Sequence, residues 1–400
     1  MGLVFCLLVI LAAFVGYFKW KQSYWQRRGV PGPRGIPFLG SFYEIADKEN
    51  PRVFVLHEWT KKFGKVFGFY EGVIPVMVVS DPEMLQELFI HETVDNSVLC
   101  MMDHLAKHEN NSAFNIHLYF QELTYDIICR LAMGQPYSEQ FNNEGVEIVK
   151  NEENKQLGIE NTQNDFIDMF LDHYTESEIE DSQFGTPFER KVNSQDVIGA
   201  CFVFLLAGFD TTANTLAYAS YLLAKNPEKM QMVQEEVDRT CDSDIISYDD
   251  LTRMNYLDAV IREALRLYPV AWFACSRECV STTTLGEYVI EKGVRVEADL
   301  MALHRSKEIW GENADDFVPE RWFVETRRPS MSWIPFGAGP RQCVGMRLGL
   351  CETKTAFAHI LRKYSIVAGP ETEDKLRILG CTTNCPESVT VYLESRFCNP

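Results

Sequence analysis

The hydrophobic positions divide the chain into long helical segments and a few short alternating stretches. Apolar residues at helical spacing predict helices over 51–63, 118–133, 164–174, 226–239, 248–268 and 346–359, and one long buried helix over 197–223. Alternating apolar and polar residues predict a β-hairpin over 66–79 and short strands within 270–303 and 364–392. Asp81-Pro82 predicts one more helix start, because proline suits the first helical position. The pattern is that of a mainly α protein with a small β-rich lobe.

The N-terminus carries the pattern of a membrane anchor with a basic flank. The run 3–18 is apolar and uncharged, and basic residues follow it at Lys19, Lys21, Arg27 and Arg28. A cleaved signal peptide has the opposite charge order, and a positive flank stays in the cytosol. We therefore expect a single N-terminal anchor at 1–28 and one cytosolic domain at 29–400.

Composition and charge exclude some partners. The net charge of −19 argues against nucleic acid. The 12 cysteines should stay reduced in a cytosolic domain, and their spacings are not those of a zinc site. Arg341, Arg347 and Lys354 form a local basic cluster, which fits either the docking of an acidic electron donor or ordinary solvated side chains.

The most informative residue is Cys343, in the run Phe336-Gly337-Ala338-Gly339-Pro340-Arg341-Gln342-Cys343-Val344-Gly345. A thiolate that ligates heme iron needs a tightly bent loop whose backbone N–H groups point at the sulfur. The glycines permit that bend, and the helix predicted from Met346 places the cysteine near a helix N-terminus, where the dipole favours an anion. A lone cysteine is more often a small buried hydrophobe, but this loop favours a metal ligand.

Two further polar clusters lie within apolar helices. Glu263 and Arg266 are three residues apart, so they share a helix face and predict a buried ion pair. Ala207-Gly208-Phe209-Asp210-Thr211-Thr212 interrupts the long apolar helix. Gly208 removes a side chain and Thr211 can bond a carbonyl one turn back, which predicts a loosened helix with room for small molecules. An incidental polar patch is the less favoured reading, because an unpaired buried carboxylate is costly.

The loop pattern Phe-Gly-x-Gly-x-Arg-x-Cys-x-Gly resembles the heme-binding loop of cytochrome P450 enzymes of the microsomal, membrane-anchored animal type. The resemblance implies the cytochrome P450 fold and heme b, with Cys343 as the iron ligand. It also assigns cofactor-binding roles to Phe336, Arg341 and, with an awkward spacing, Arg277. It assigns proton delivery to Asp210 and Thr211. The segment Pro319-Glu320-Arg321-Trp322 would bring Arg321 to the Glu263–Arg266 pair in a structural network behind the heme loop.

The same resemblance implies a monooxygenase that inserts one oxygen atom from O2 into a lipophilic small molecule. Its electrons would come from NADPH through a flavoprotein reductase, with cytochrome b5 as a further donor. Its location would be the endoplasmic reticulum membrane. The resemblance places Phe204, Ala207, Gly208 and the stretch 270–273 against the substrate. These residues are apolar, which fits a lipophilic substrate.

The resemblance fails in the middle of the chain. Family members carry a Trp-x-x-x-Arg helix (helix C), yet no tryptophan occurs between Trp59 and Trp272, and Cys100–His117 is too short for that helix. Two helices that roof the substrate cavity (the F–G region) are replaced by the polar stretch Gln135–Thr162. The missing segments are compatible either with a shortened but functional enzyme or with an isoform that lacks exons. The second is favoured, because deleting helices from a close-packed domain exposes apolar surface. The alternative function is therefore a catalytically impaired or inert membrane-tethered isoform. A heme-thiolate isomerase is less favoured, because Asp210-Thr211-Thr212 is present.

Overall fold

A computed structural model gives the structure of the chain. It describes residues 16–397 except 46–51, 82–91, 136, 142–192, 242, 244, 272–273, 325–326 and 381–382. Contacts within the chain separate residues 1–89 from residues 90–400 as two compact units. Most of the predicted anchor and the helices predicted at 82 and 164–174 lie outside the described residues.

The first unit is built on a β-hairpin. Its elements are α1 Tyr24–Arg27, α2 Phe42–Ile45, α3 Arg52–Phe63, β1 Val66–Glu71 and β2 Ile74–Val79. The two strands pair antiparallel through a turn in which Gly72 has φ 62°, a conformation that favours glycine. Phe67 and Phe69 are fully buried against the helices. The predicted hairpin and the predicted helix before it are both confirmed.

The second unit is mainly helical. Its helices are α4 Glu92–Leu105, α5 His117–Ala132, α6 Ser194–Lys225, α7 Pro227–Thr240, α8 Tyr248–Arg253, α9 Asn255–Leu267, α10 Leu300–His304, α11 Lys307–Trp310 and α12 Met346–Lys363. Asn193 caps α6 in a reciprocal pair with Asp196, and Pro227 opens α7. The largest core is formed by apolar residues of α4–α7, α9 and α12. The single helix predicted over 248–268 is wrong, because Met254 (φ −79°, ψ 82°) separates α8 from α9.

A short strand that was not predicted precedes α5, and the other short strands of the second unit lie in the second half of the chain, as the alternation predicts. Together they are β3 Phe114–Asn115, β4 Ser276–Glu278, β5 Thr283–Leu285, β6 Tyr288–Ile290, β7 Arg295–Glu297, β8 Tyr364–Val367, β9 Ile378–Leu379, β10 Cys385–Pro386 and β11 Thr390–Ser395. Strand β11 lies between β3 and β8, and β4 pairs with β7, β5 with β6 and β9 with β10. The mainly α fold with small sheets is thus confirmed, and it is the fold expected of the resembled family.

The long helix α6 is only partly buried. Its residues Val197, Cys201 and Leu205 pack against Ile128 and Ala132 of α5 and against Met133, which follows α5. On its other side, four apolar residues are 48–67% exposed: Ile198, Phe202, Val203 and Leu206. The prediction of a buried helix is therefore wrong for this first half, because apolar composition gives burial only where another element packs.

Helix α6 is also long and apolar enough to cross a membrane, with a mean hydropathy of 1.5 over its most apolar window. Core helices of soluble proteins meet the same criterion. In sequence this helix is far from the predicted N-terminal anchor, so its hydropathy does not test the prediction of that anchor.

Candidate functional site

The loop around Cys343 is sharply bent and presents the thiol to solvent. Gly337 and Gly339 have φ values of 69° and 74°, where a side chain would be strained. The backbone N–H of Cys343 donates to the Phe336 carbonyl at 2.8 Å, which closes the loop. Cys343 is exposed, and its Sγ lies 4.0 Å from the position that a Cβ on Gly345 would take. The loop therefore holds an accessible sulfur beside the start of a helix.

That helix, α12, begins without a side-chain cap. Its N-cap residue is Gly345, which offers no oxygen to the first-turn N–H groups. A negative charge close to this end would be stabilised by the N–H groups and the helix dipole. The local geometry suits a thiolate at Cys343.

Behind the loop lies a fully buried ion-pair network. Glu263 and Arg266 are both inaccessible, and the guanidinium donates to both carboxylate oxygens at 2.8 and 3.0 Å. Arg321 donates from Nε to the same carboxylate at 2.8 Å. The carboxylate also accepts from the indole N–H of Trp322 at 3.1 Å. One carboxylate serves two guanidinium groups, whose other N–H groups donate to the carbonyls of His304, Ala314, Trp310 and Asn313. These additional hydrogen bonds offset part of the desolvation cost of burying the charges. The structural role expected for these residues is confirmed.

His304 connects this network to the segment that leads into the loop. Its carbonyl accepts from Arg266 at 2.8 Å, and its Nε2 accepts from the Ile334 N–H at 3.1 Å. Burial, together with the nearby Arg266 charge, lowers the pKa of His304 to about 4. The ring is therefore neutral at physiological pH and can accept that N–H. Removing a member of this network should disturb the loop position.

The three consecutive polar residues Asp210, Thr211 and Thr212 of α6 make three different contacts. The Thr211 hydroxyl donates to the Ala207 carbonyl of its own helix at 2.7 Å, as the sequence predicts. Asp210 accepts a short hydrogen bond from the Thr383 hydroxyl. Thr212 faces α12, because its hydroxyl lies 3.3 Å from the position that a Cβ on Gly349 would take. This contact brings the polar segment of α6 beside the helix that follows Cys343.

The expected loosening of α6 at Gly208 is wrong. The helix runs without interruption from Ser194 to Lys225. A Cβ on Gly208 would lie 2.8 Å from Cδ1 of Ile128, so the space at this glycine is filled by α5. Gly208 permits close helix packing, and the Thr211 hydrogen bond is accommodated without a break.

One buried carboxyl group was missed by the sequence analysis. Glu352 of α12 is 3% exposed, and burial raises its pKa to about 8, against a hydrogen bond from Thr212 that lowers it. The signal was present, because Gly345, Gly349 and Glu352 recur at helical spacing and so face the same neighbour. Small residues at that spacing indicate close approach of another helix.

The predicted cofactor-binding arginines lie on the exposed side of the loop. Arg341 is exposed within the loop. Arg347, which was predicted only as part of the basic cluster, is exposed on α12. Arg277 of β4 reaches the loop, with Nη2 donating to the Ala338 carbonyl at 3.5 Å and Nη1 to the Ser276 carbonyl at 2.6 Å. Lys354 instead pairs with Asp258 at 3.1 Å and is largely buried. It belongs to the helix packing, so the basic cluster is reduced to Arg341 and Arg347.

These residues fit a cofactor whose metal would take a sulfur ligand from the chain. The thiol is accessible, the glycines leave the backbone uncovered, and Val344 beside Cys343 is 86% exposed. Within the described residues, no cluster of three or more His, Cys, Asp or Glu side chains could hold a metal ion. The accessible sulfur of Cys343, in a loop bent at Gly337 and Gly339, suits a single thiolate ligand to a metal.

The comparisons with known proteins agree with this geometry. The cytochrome P450 family profile matches residues 30–98 and 139–380. Three Caenorhabditis elegans proteins that carry the name cytochrome P450 are similar over nearly their whole length. For cyp-13B1 the identity is 51%, over 99% of this chain and 100% of the relative. For CYP13A1 it is 34% (97% and 98%), and for CYP13A8 it is 32% (97% and 99%). The chain belongs to the cytochrome P450 family. It is by class a cytochrome P450 monooxygenase, a family whose cofactor is heme.

The comparisons also mark the shortened middle. The alignment with cyp-13B1 extends over 511 residues, although this chain has 400, so a substantial part of it lies opposite gaps in this chain. The family match is interrupted at 99–138, a region that contains Cys100–His117. The structure places the second half of α4 and all of α5 there.

Proposed function

We propose that this chain is a heme-thiolate monooxygenase in which the Cys343 sulfur would ligate the iron of a heme b. The observation that carries the proposal is the accessible thiol in a glycine-bent loop, closed by the Cys343–Phe336 hydrogen bond and supported by the buried Glu263 network. When bound, the heme would supply the activation of dioxygen, and the thiolate would favour O–O cleavage.

The residues of the chain would then have separate tasks. Phe336 would pack against the sulfur side of the ring, while Arg341 and Arg277 would pair with its carboxylates. Asp210 and Thr211 would move protons into the site from solvent. The exposed apolar side of α6, with Phe202 and Leu206, would contact the substrate and so select a lipophilic small molecule.

The supply of electrons and the location extend the same proposal. A flavoprotein reductase would deliver electrons from NADPH, and cytochrome b5 would be a second electron donor. Both would dock on the exposed surface formed by Arg341 of the loop and Arg347 of α12. The apolar run 3–18 with its basic flank supports a single anchor at 1–28 in the endoplasmic reticulum membrane, with residues 29–400 as the cytosolic domain.

The absorption spectrum of the reduced, carbon monoxide-bound protein tests the ligand directly. We expect the spectrum of a thiolate-ligated heme, its loss in Cys343→Ala, and its retention in Cys351→Ala, a matched control on α12 whose thiol is buried. A Cys343→Ala protein that kept the thiolate spectrum would refute the assignment.

A second candidate is a membrane-tethered form of the same family that is catalytically impaired or inert. The exposed apolar side chains of α6 favour it, because a substrate cavity needs walls that exclude water. A normal thiolate spectrum without substrate turnover would identify this form.

A further inference from the structure

Three of the seven tryptophans of the chain form a continuous row that ends at the Cys343 loop. The ring centroids of Trp310 and Trp322 are 5.5 Å apart, and those of Trp322 and Trp333 are 5.4 Å apart. The next step, from Trp333 to Phe336, is 6.2 Å. Phe336 in turn accepts the backbone hydrogen bond of Cys343. Indole is among the side chains that lose an electron most readily, so a row of indoles can carry oxidation away from a redox centre.

The surroundings of each ring decide where a positive charge would rest. Trp310 lies under two guanidinium groups, those of Arg328 at 4.7 Å and Arg266 at 5.2 Å, which oppose the loss of an electron from it. Arg262 lies at almost equal distances from Trp322 and Trp333, 5.9 and 5.8 Å, so it does not distinguish them. Only Trp322 donates its N–H to a carboxylate within this row, that of Glu263 at 3.1 Å. That carboxylate can accept the N–H proton as the indole loses an electron, whereas the N–H groups of Trp310 and Trp333 donate to backbone carbonyls, so Trp322 is the preferred site of oxidation.

We propose that Trp333 and Trp322 conduct oxidising equivalents away from a heme bound at Cys343, with Trp322 as the residue that holds the oxidation. This inference rests on the proposed function. Trp322 is partly exposed, so a small reductant can reach it. The path would protect the cofactor when no substrate is oxidised.

The electron balance is closed by two external reactants. A hydroperoxide is the oxidant, and its reduction to an alcohol and water takes two electrons and two protons. Each electron passes from Trp333 to the heme site and from Trp322 to Trp333, and the oxidised Trp322 releases its N–H proton. A one-electron donor such as ascorbate then returns an electron to Trp322, and a proton from solvent restores its N–H. Without that donor, the neutral Trp322 radical combines with dioxygen dissolved in the buffer and is oxygenated irreversibly.

The test treats the heme-loaded chain with cumene hydroperoxide, without NADPH or ascorbate, and locates oxidised tryptophan by peptide mass spectrometry. We expect several-fold more oxidation at Trp322 than at Trp20, which is 57% exposed, or at Trp59, which packs against Phe67 in the first unit. Trp333→Phe should suppress oxidation at Trp322 and accelerate heme bleaching several-fold, whereas Trp59→Phe should change neither. Oxidation that follows solvent exposure alone, or an unchanged Trp322 signal in Trp333→Phe, would overturn the proposal.

A second arm separates this inference from the question of heme binding. In the heme-free chain, with the accessible cysteines other than the labelled one replaced by serine and the buried ones retained, a thiol-linked ruthenium photo-oxidant on Cys343 supplies the oxidation. The same label on Cys279 is the control. Preferential oxidation of Trp322 from Cys343, dependent on Trp333, supports the path even if the chain binds no heme. Equal oxidation from both labels refutes the path even if the heme spectrum is normal.

Discussion

Asp210, Thr211 and Thr212 are consecutive in sequence but act on different surroundings, because each residue of an α-helix is rotated by about 100° from the last. Asp210 binds Thr383 of the C-terminal segment, Thr211 binds its own helix, and Thr212 approaches α12. Substitutions at the three positions should therefore have separable effects.

Thr211→Ala tests proton delivery. We expect NADPH oxidation to continue while hydrogen peroxide replaces product, because the hydroxyl that passes protons is lost. Thr215→Ala is the matched control, since the Thr215 hydroxyl makes the same kind of bond one turn later, to the Thr211 carbonyl at 2.8 Å. Peroxide yield per NADPH is the measurement, and equal coupling in the wild type and Thr211→Ala would remove Thr211 from the mechanism.

Glu352→Gln tests the buried carboxyl group. Its folded pKa, about 8, lies above the ordinary value of 4.5, so the folded chain holds a proton that the unfolded chain loses between these values. The stability that this group contributes is complete below pH 4.5 and falls as pH rises toward 8. Glutamine does not titrate, so the Glu352→Gln protein does not lose this stability as pH rises. The difference in melting temperature, variant minus wild type, should therefore increase between pH 4.5 and pH 8. A difference that stays constant with pH would contradict the assigned pKa.

At the scale of single elements, two glycines of α6 offer a matched pair. A Cβ on Gly208 would lie 2.8 Å from Ile128, whereas a Cβ on Gly199 meets nothing within 4 Å. Gly208→Ala should therefore destabilise the fold by roughly 1–3 kcal/mol through overpacking. Gly199→Ala should stabilise α6 by up to about 1 kcal/mol. Chemical denaturation measures both, and Ile128→Val should partly rescue Gly208→Ala. Equal effects at the two glycines would mean that α5 does not pack closely on α6.

Local patterns predicted most elements of this chain but not their surroundings. Helical spacing identified α5 and α12, and Pro227 identified the start of α7, because these signals depend only on neighbouring residues. The break at Met254 was not visible, since α8 and α9 both continue an apolar pattern across it. The purpose of Gly208 depends on Ile128, eighty residues away in sequence, and no local pattern contains that information.

The same distinction holds for the candidate site. The Glu263–Arg266–Arg321 network could be predicted because charged residues in apolar segments need partners, and the resemblance supplied the third member. Lys354 was misread as part of a surface cluster, because its partner Asp258 lies on another helix. Glu352 was missed for a related reason: its partner Thr212 lies on α6, and only the glycine spacing hinted at it.

At the scale of the whole molecule, the shortened middle determines how tightly a heme would be held. The family's Trp-x-x-x-Arg helix has no counterpart in the sequence, so the ring would be held chiefly by the Cys343 bond, by Arg341 and by packing against Phe336. A cofactor stabilises the folded state only as far as it binds more tightly to it than to the unfolded chain. We therefore expect weak heme retention and a melting temperature that rises when heme is added in excess. Gel filtration in mild detergent, followed by the heme-to-protein ratio, measures retention, and Arg341→Ala should lower that ratio further. A full complement of heme with a sharp melting transition at high temperature would instead show that the shortened middle covers the heme. The chain would then be a shortened but functional enzyme.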